Sequence, residues 1–240
     1  MIINLISGPR NISTALMYSF AQHSKTKVLD EPFYAHYLIH IGLEHPGRKE
    51  TIASMSANAD KVLDEIQTLE NHHEIVFIKN MAHHHEGLAW SYLTEMKNVF
   101  LIRDPKQLIA SFAEVIHHPT LQDIGLKYEA DLLDFMLETS KDKPIVIDSN
   151  DILKDPKVSL QNLCARLDIP FEERMLSWKK GPIPEDGTWA KYWYKNVHNS
   201  TGFAKQKTSE RSLPPHCQAL YEESTPYYEK LKEFSLNFNQ

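Results

Sequence analysis

The octet Ser7-Gly8-Pro9-Arg10-Asn11-Ile12-Ser13-Thr14 sets one guanidinium and several hydroxyls between an apolar run, Ile2–Ser7, and a segment whose apolar residues Ile12, Leu16 and Phe20 recur every four. At such a strand-to-helix turn, backbone N–H groups and the helix dipole converge on an anion. Arg10 can clamp a phosphate or sulfate oxygen pair, and Ser13 and Thr14 can donate hydroxyl hydrogen bonds. The plain alternative is a turn in which a Ser or Thr caps the helix.

Histidines supply the other candidate chemistry. His83, His84 and His85 are consecutive, so they cannot all face one metal on a regular element, and no Cys or carboxylate stands beside them at ligand spacing. No metal is therefore expected. His36 and His40 are four apart on a predicted helix, and His72-His73 and His117-His118 read as polar helix ends. Cys164 occupies a core-like helical position and reads as a small buried hydrophobe. With Cys164 and Cys217 alone, no disulfide framework is implied, which suits a reducing compartment.

The elements that must hold these groups alternate along the chain. Short apolar, β-branched runs predict strands near Ile2–Ser7, Lys27–Leu29, Ile75–Lys79, Val99–Ile102 and Ile145–Asp148. Helical period joins Ile52, Met55, Ala59, Val62, Ile66 and Leu69 between the second and third. Asp104-Pro105 reads as an N-cap followed by Pro at the first helical position, with Leu108, Ile109, Phe112, Val115 and Ile116 inward. Residues 179–212, rich in Gly, Pro and aromatics, predict a long functional loop, and a last helix runs roughly from Pro215 to Phe234. Alternating strands and helices predict an α/β fold with a mostly parallel sheet.

With 240 residues, 42% hydrophobic, and no long linker, one domain over 1–240 is expected. Its 26 Lys and Arg against 32 Asp and Glu, a formal charge of −6, argue against a nucleic-acid or anionic-membrane surface, so an anion site must be local. The N-terminus lacks the pattern of a secretory signal, and no apolar run approaches the roughly 18 residues of a membrane span, so a cytoplasmic location is expected.

Gly8 to Thr14 resembles the 5′-phosphosulfate loop of the P-loop sulfotransferases, with Asn11-Ile12 where that family usually has Ser-Gly. It is not a Walker loop, because the Gly-Lys pair before Ser/Thr is missing. Leu101 to Phe112 resembles the same family's 3′-phosphate motif, in which a strand-ending Arg (here Arg103) and a Ser eight residues later (here Ser111) hold the 3′-phosphate. Ser111 lies seven residues past Asp104, about two turns of roughly 3.6 residues, so it returns to the face it left. The likeness extends through Ile147 to Pro156 and Leu163 to Pro170. It implies a three-layer P-loop-type fold, a central mostly parallel sheet flanked by helices. It also implies a nucleotide site made of Gly8, Pro9, Arg10, Asn11, Ser13, Thr14, Arg103 and Ser111, with 3′-phosphoadenosine 5′-phosphosulfate (PAPS) as donor. Beyond residue 175 the likeness weakens; Lys205 and Lys207 stand where the family has a late basic loop, or are solvated surface.

The resemblance also bears on the base. Asp30-Glu31-Pro32-Phe33 is similar to the segment that carries a Glu base in Golgi-type members, which makes Glu31 the first candidate. Cytosolic members use a His two residues after a strand-ending Lys, and here Lys79-Asn80-Met81 puts Met in that place. His83, His84 and His85 stand close by, and His titrates near neutral pH. The implied activity is sulfuryl transfer to a hydroxyl or amine of a small molecule, with Arg10 assisting. An ATP-dependent P-loop kinase and a nucleotide-binding module without transfer chemistry are the alternatives.

Overall fold

The computed structural model describes residues 1–42, 44–203 and 211–236. Five strands, β1 (Ile2–Ser7), β2 (Thr26–Asp30), β3 (Ile75–Met81), β4 (Lys97–Ile102) and β5 (Ile145–Asp148), form one sheet in the order β2-β3-β1-β4-β5. Every pairing is parallel. Each of the first four strands is followed by a crossover segment that returns the chain to the opposite end of the sheet, so all the carboxyl ends align. β1 sits in the middle, with all six of its residues buried.

The alternation along β1 divides the core between the two faces. Ile3 and Leu5 pack with Leu16, Phe20, Phe77, Val99 and Leu101, while Ile6 packs with Phe100, Ile102, Leu108, Ile109, Leu132 and Leu133. The first face is anchored by the stacked rings of Phe20 and Phe77, 4.1 Å apart.

Asp104 caps the helix Pro105–Phe112 by accepting from the Gln107 N–H at 3.0 Å, as its sequence predicts. The helical period through Ile52 and Leu69 is broken into two helices, Arg48–Ser54 and Ala59–His72. The break has a local cause: Asn58 accepts from the Lys61 N–H and starts the second helix afresh, an N-cap that the apolar period hides. The described part of 179–212 is not featureless. It carries the helical turns Ala190–Trp193 and Lys195–His198, and Ser177 and Gly202 form an antiparallel bridge across it. The last helix runs Gln218–Glu233 after a 3₁₀ turn at Pro215–Cys217.

One polar ladder crosses the middle of the sheet. Asn80 Nδ2 donates to Asn4 Oδ1 at 2.8 Å, Asn4 Nδ2 donates to Asn98 Oδ1 at 3.0 Å, and Asn98 Nδ2 donates to the Leu93 carbonyl at 2.7 Å. All three asparagines are buried. Buried amides must be paired, so the ladder fixes the lateral order of β3, β1 and β4. Replacing Asn4 by Ala strands a donor on Asn80 and an acceptor on Asn98, and is expected to cost about 2–4 kcal/mol in urea denaturation. A loss within about 0.5 kcal/mol of wild type would show that the ladder does not hold the sheet.

Candidate active site

Every chemistry-bearing segment follows a strand at its carboxyl end: Ser7 to Thr14 after β1, Asp30-Glu31 after β2, Ala82–His85 after β3, and Arg103 after β4. In open parallel sheets this edge is where ligands bind. Here it bounds a cavity of about 870 Å³ whose lining includes Pro9 to Ala15, Glu31, Lys79, His83, His84, Arg103, Ser111, Tyr194 and Arg211.

The first loop is tightly wound. Arg10 and Ile12 both have positive φ, 57° and 49°, a conformation that a β-branched residue adopts only under constraint. That Ile stands where the resembling family has Gly. The constraint comes from β4: the Asn11 amide donates to the Leu101 carbonyl and Arg103 donates to the Arg10 carbonyl. Gly8 does not line the cavity. It lies beneath the turn, where an added Cβ would meet the Ile124 carbonyl oxygen at 2.4 Å. The helix Ser13–Phe20 has Ile12 at its N-cap and no side-chain cap, so the Ser/Thr-capped alternative is not what is built. Its first N–H groups stay open toward the cavity, with Ser13 and Thr14 beside them.

Arg10 Nε donates to Ser111 Oγ at 3.2 Å, so the two motifs interlock rather than forming separate sites. Arg211, which pairs with Glu114 at 3.1 Å, also lines the cavity. Burial lowers the pKa of Arg103, and the neighbouring charges of Arg10 and Arg211 lower it further; burial and then Arg211 do the same to Arg10. Guanidiniums remain charged under such shifts. Arg103 Nε is buried with no partner among the described residues. Clustered cations with an unused donor are the chemistry that suits an anion.

The other side, at the ends of β2 and β3, is acid–base in character. Lys79 Nζ, 1% exposed, donates to Asp30 at 3.0 Å, to Glu31, and to the Tyr194 hydroxyl at 2.7 Å. Tyr194 in turn donates to Asp30 at 2.8 Å and accepts from Trp189 Nε1 at 3.1 Å. Burial works against the Lys79 charge, but Asp30 and Glu31 outweigh it and raise its pKa. Burial pushes Glu31 up to about 7, against the pull of Lys79 and with a contribution from Asp30.

The histidine run behaves differently. The 3₁₀ turn Ala82–His85 folds it back toward the sheet edge, bringing His84 Nδ1 to 3.7 Å from Glu31 Oε2. His83 and His84 line the cavity, with His84 stacked on Tyr34 at 4.5 Å. His85 turns into the core, bonded to the Tyr92 hydroxyl, with Trp90 Nε1 donating to its carbonyl at 3.1 Å. Burial pushes His83 down to about 4, His85 down to about 3, and His84 well below its usual value, so all three are neutral at neutral pH. A base works best with a pKa near the operating pH, and on that ground Glu31 outranks the imidazoles.

Several lining residues escape a reading of the sequence. Tyr194 and Arg211 carry no motif, and Lys79 shows there only as the polar end of a strand. Trp189 and Trp193, visible as an aromatic-rich stretch, reach the cavity wall. Lys205 and Lys207 lie outside the described residues. No helix among the described residues is long and apolar enough to cross a membrane.

The model of the family described as "Sulfotransferase domain" matches residues 1–235. The chain belongs to that family. It is 38% and 35% identical, over 232 residues each, to the branched-chain-amino-acid aminotransferase-like proteins 1 and 2 of Arabidopsis thaliana; the match covers 96% of this chain and 41% of each relative. The chain thus spans about two fifths of the length of these curated relatives. Among solved structures, the sulfotransferase domain of the Synechococcus PCC 7002 olefin synthase is 18% identical with a TM-score of 0.67, covering 98% of this chain and 95% of that one. Mouse sulfotransferase SULT7A1, solved with PAP, is 13% identical with a TM-score of 0.56, covering 97% and 87%. These likenesses establish the P-loop sulfotransferase fold, and the sheet that the resemblance implied as mostly parallel is wholly parallel.

Beneath the first loop of this sulfotransferase domain lies a group outside the family motifs. Glu129 is fully buried, its Oε1 is 3.4 Å from where a Gly8 Cβ would stand, and neither oxygen completes a hydrogen bond among the described residues. Burial pushes its carboxyl well above the usual range, with only the Gly8 N–H pulling the other way. A carboxyl with a raised folded-state pKa binds its proton more tightly in the fold than in the unfolded chain. Its penalty is absent below the unfolded value, about 4.3, and grows as pH rises toward the folded one. Glu129→Gln is therefore expected to melt progressively higher than wild type as pH is raised from 5 to 8. A melting-temperature difference independent of pH would show that Glu129 is not held protonated.

Proposed function

We propose that this domain binds 3′-phosphoadenosine 5′-phosphosulfate and transfers its sulfuryl group to a hydroxyl or amine of a small molecule. The observation that carries the reading is the cavity's polarity: Arg10, Arg103 and Arg211 with the open helix N-terminus on one side, and a buried carboxyl poised near neutrality on the other. The donor set of guanidiniums, hydroxyls and backbone N–H groups fits the two phosphate ends of such a nucleotide, and the unpartnered Arg103 Nε is a donor it would satisfy. When bound, the nucleotide supplies an activated sulfuryl group and a phosphate leaving group. Arg10 and the N–H groups of Asn11 to Thr14 face the charge at the 5′ end, and Arg103 with Ser111 faces the 3′-phosphate. Glu31 takes the acceptor's proton, held in place by Lys79 and assisted by the nearby His84. An ATP-dependent kinase is disfavoured by the missing Walker Lys and by the cationic 3′ side.

Calorimetry with adenosine 3′,5′-bisphosphate and AMP separates these readings. The bisphosphate should bind in the presence of EDTA. Arg103→Ala should weaken it by about 2–4 kcal/mol, on the order of 30- to 1,000-fold, while AMP binding hardly changes. Equal losses for both nucleotides would remove Arg103 from the 3′ side, and a strict requirement for Mg²⁺ with ATP would favour the kinase.

Turnover is read as release of adenosine 3′,5′-bisphosphate from the donor over a panel of phenols, alcohols and amines. Glu31→Gln should leave nucleotide affinity nearly intact, lower turnover roughly 10²–10⁴-fold, and abolish an acid limb near pH 7 in the rate profile. His83→Ala and His84→Ala should be milder. A normal rate in Glu31→Gln with collapse in a histidine variant would move the base to the histidine run.

A further inference from the structure

Outside the cavity, three exposed imidazoles from two distant parts of the chain meet. His117 and His118 follow the nucleotide-side helix Pro105–Phe112, and His216 lies in the 3₁₀ turn Pro215–Cys217. One nitrogen from each ring lies within 4.8 Å of the others. His117 Nδ1 and His118 Nε2 are 3.2 Å apart. Two nitrogens bound tetrahedrally at about 2.0–2.1 Å to one zinc ion are separated by about 3.3 Å, so this pair already has the spacing of two ligands. His216 Nε2 bonds the His117 carbonyl at 2.8 Å, an arrangement that fixes the ring's tautomer and leaves the lone pair on its other nitrogen.

The backbone beneath these rings is restrained. Pro119 follows His118, and Pro214 and Pro215 precede His216, which narrows the conformations of both segments. Thr120 and Asp123 close a capping box immediately beyond the first segment. Ile116 on one side and Leu213 and Cys217 on the other pack into the same apolar cluster, so the two segments are docked before any ion arrives. The exposed rings need only rotate, which costs little.

We propose that His117, His118 and His216 form a binding site for a divalent transition metal of the zinc class, and that the bound ion clamps the segment carrying Arg211 against the segment carrying Glu114. Arg211 lies five residues before His216 and lines the cavity, Glu114 lies three before His117, and these two already pair at 3.1 Å. The ion has a structural role here and no part in the transfer chemistry. Its effect on nucleotide affinity rests on the reading of the cavity as a nucleotide site; its binding does not.

Zinc chloride titrated into the full chain by calorimetry, without nucleotide, should show one equivalent bound. His216→Ala and His117→Ala should each weaken it at least 10-fold and abolish the zinc-dependent rise in melting temperature. Both residues are exposed, so the variants should fold as wild type. The competing pair, His36 and His40, stacked 5.9 Å apart, is the control: His40→Ala should leave zinc binding unchanged. Absence of a saturable zinc site, or its loss in His40→Ala rather than in His216→Ala, would overturn the metal site. In wild type and not in His216→Ala, zinc should tighten adenosine 3′,5′-bisphosphate binding at least about threefold. Zinc bound at the three histidines with nucleotide affinity unchanged would overturn the clamp.

Discussion

A buried ammonium organises the cavity wall at the ends of β2 and β3. Lys79 sits at the end of β3 with almost no exposure, and a charge so placed is tolerated only when hydrogen-bonded counter-charges surround it. Asp30 and Glu31 come from the end of β2, and the Tyr194 hydroxyl comes from the long segment after residue 179. One cation therefore ties two strands and an otherwise irregular stretch to a single point. It also acts on Glu31: burial raises that carboxyl and Lys79 pulls against it, so it stands at about 7, where a carboxyl can both take and give a proton.

The arginine side of the cavity depends on a different kind of coupling. The first loop is bonded across to β4 through Asn11 and Arg103, and Arg10 reaches Ser111 on the following helix. The loop's backbone holds two left-handed residues that are not glycine, a conformation that needs support from outside the loop. The neighbouring strand supplies it. The clustering of Arg10, Arg103 and Arg211, whose charges repel one another, concentrates positive charge on this side of the cavity. Sheet order sets the distance between the two sides: β1 lies between β3 and β4, so the loop after β1 separates Lys79 from Arg103.

Burial also sorts the histidines. Three adjacent residues of one type receive different tasks because a 3₁₀ turn points two of them at the cavity and the third at Tyr92 in the core. Desolvation then removes their proton affinity at neutral pH, which leaves all three as neutral rings, with His84 beside the carboxyl.

Much of this was written in local sequence. Short apolar, β-branched runs mark β1 to β5, because the strands of a parallel sheet covered by helices are mostly buried. The Asp104-Pro105 cap and the loop from Gly8 to Thr14 are short-range signals that act within a single turn. Helix geometry alone returns Ser111 to the face the chain left at Asp104, but its partner, Arg10, comes from the first loop. What local sequence cannot carry is proximity between remote segments. Tyr194 meets Lys79 across 115 residues, Arg211 joins Arg10 and Arg103, and His216 joins His117 and His118, none of them marked by spacing. The same holds for proton affinity: Glu31, Glu129 and the three histidines have ordinary values as residue types, and their shifts come from burial, which exists only once the sheet and its loops have excluded water.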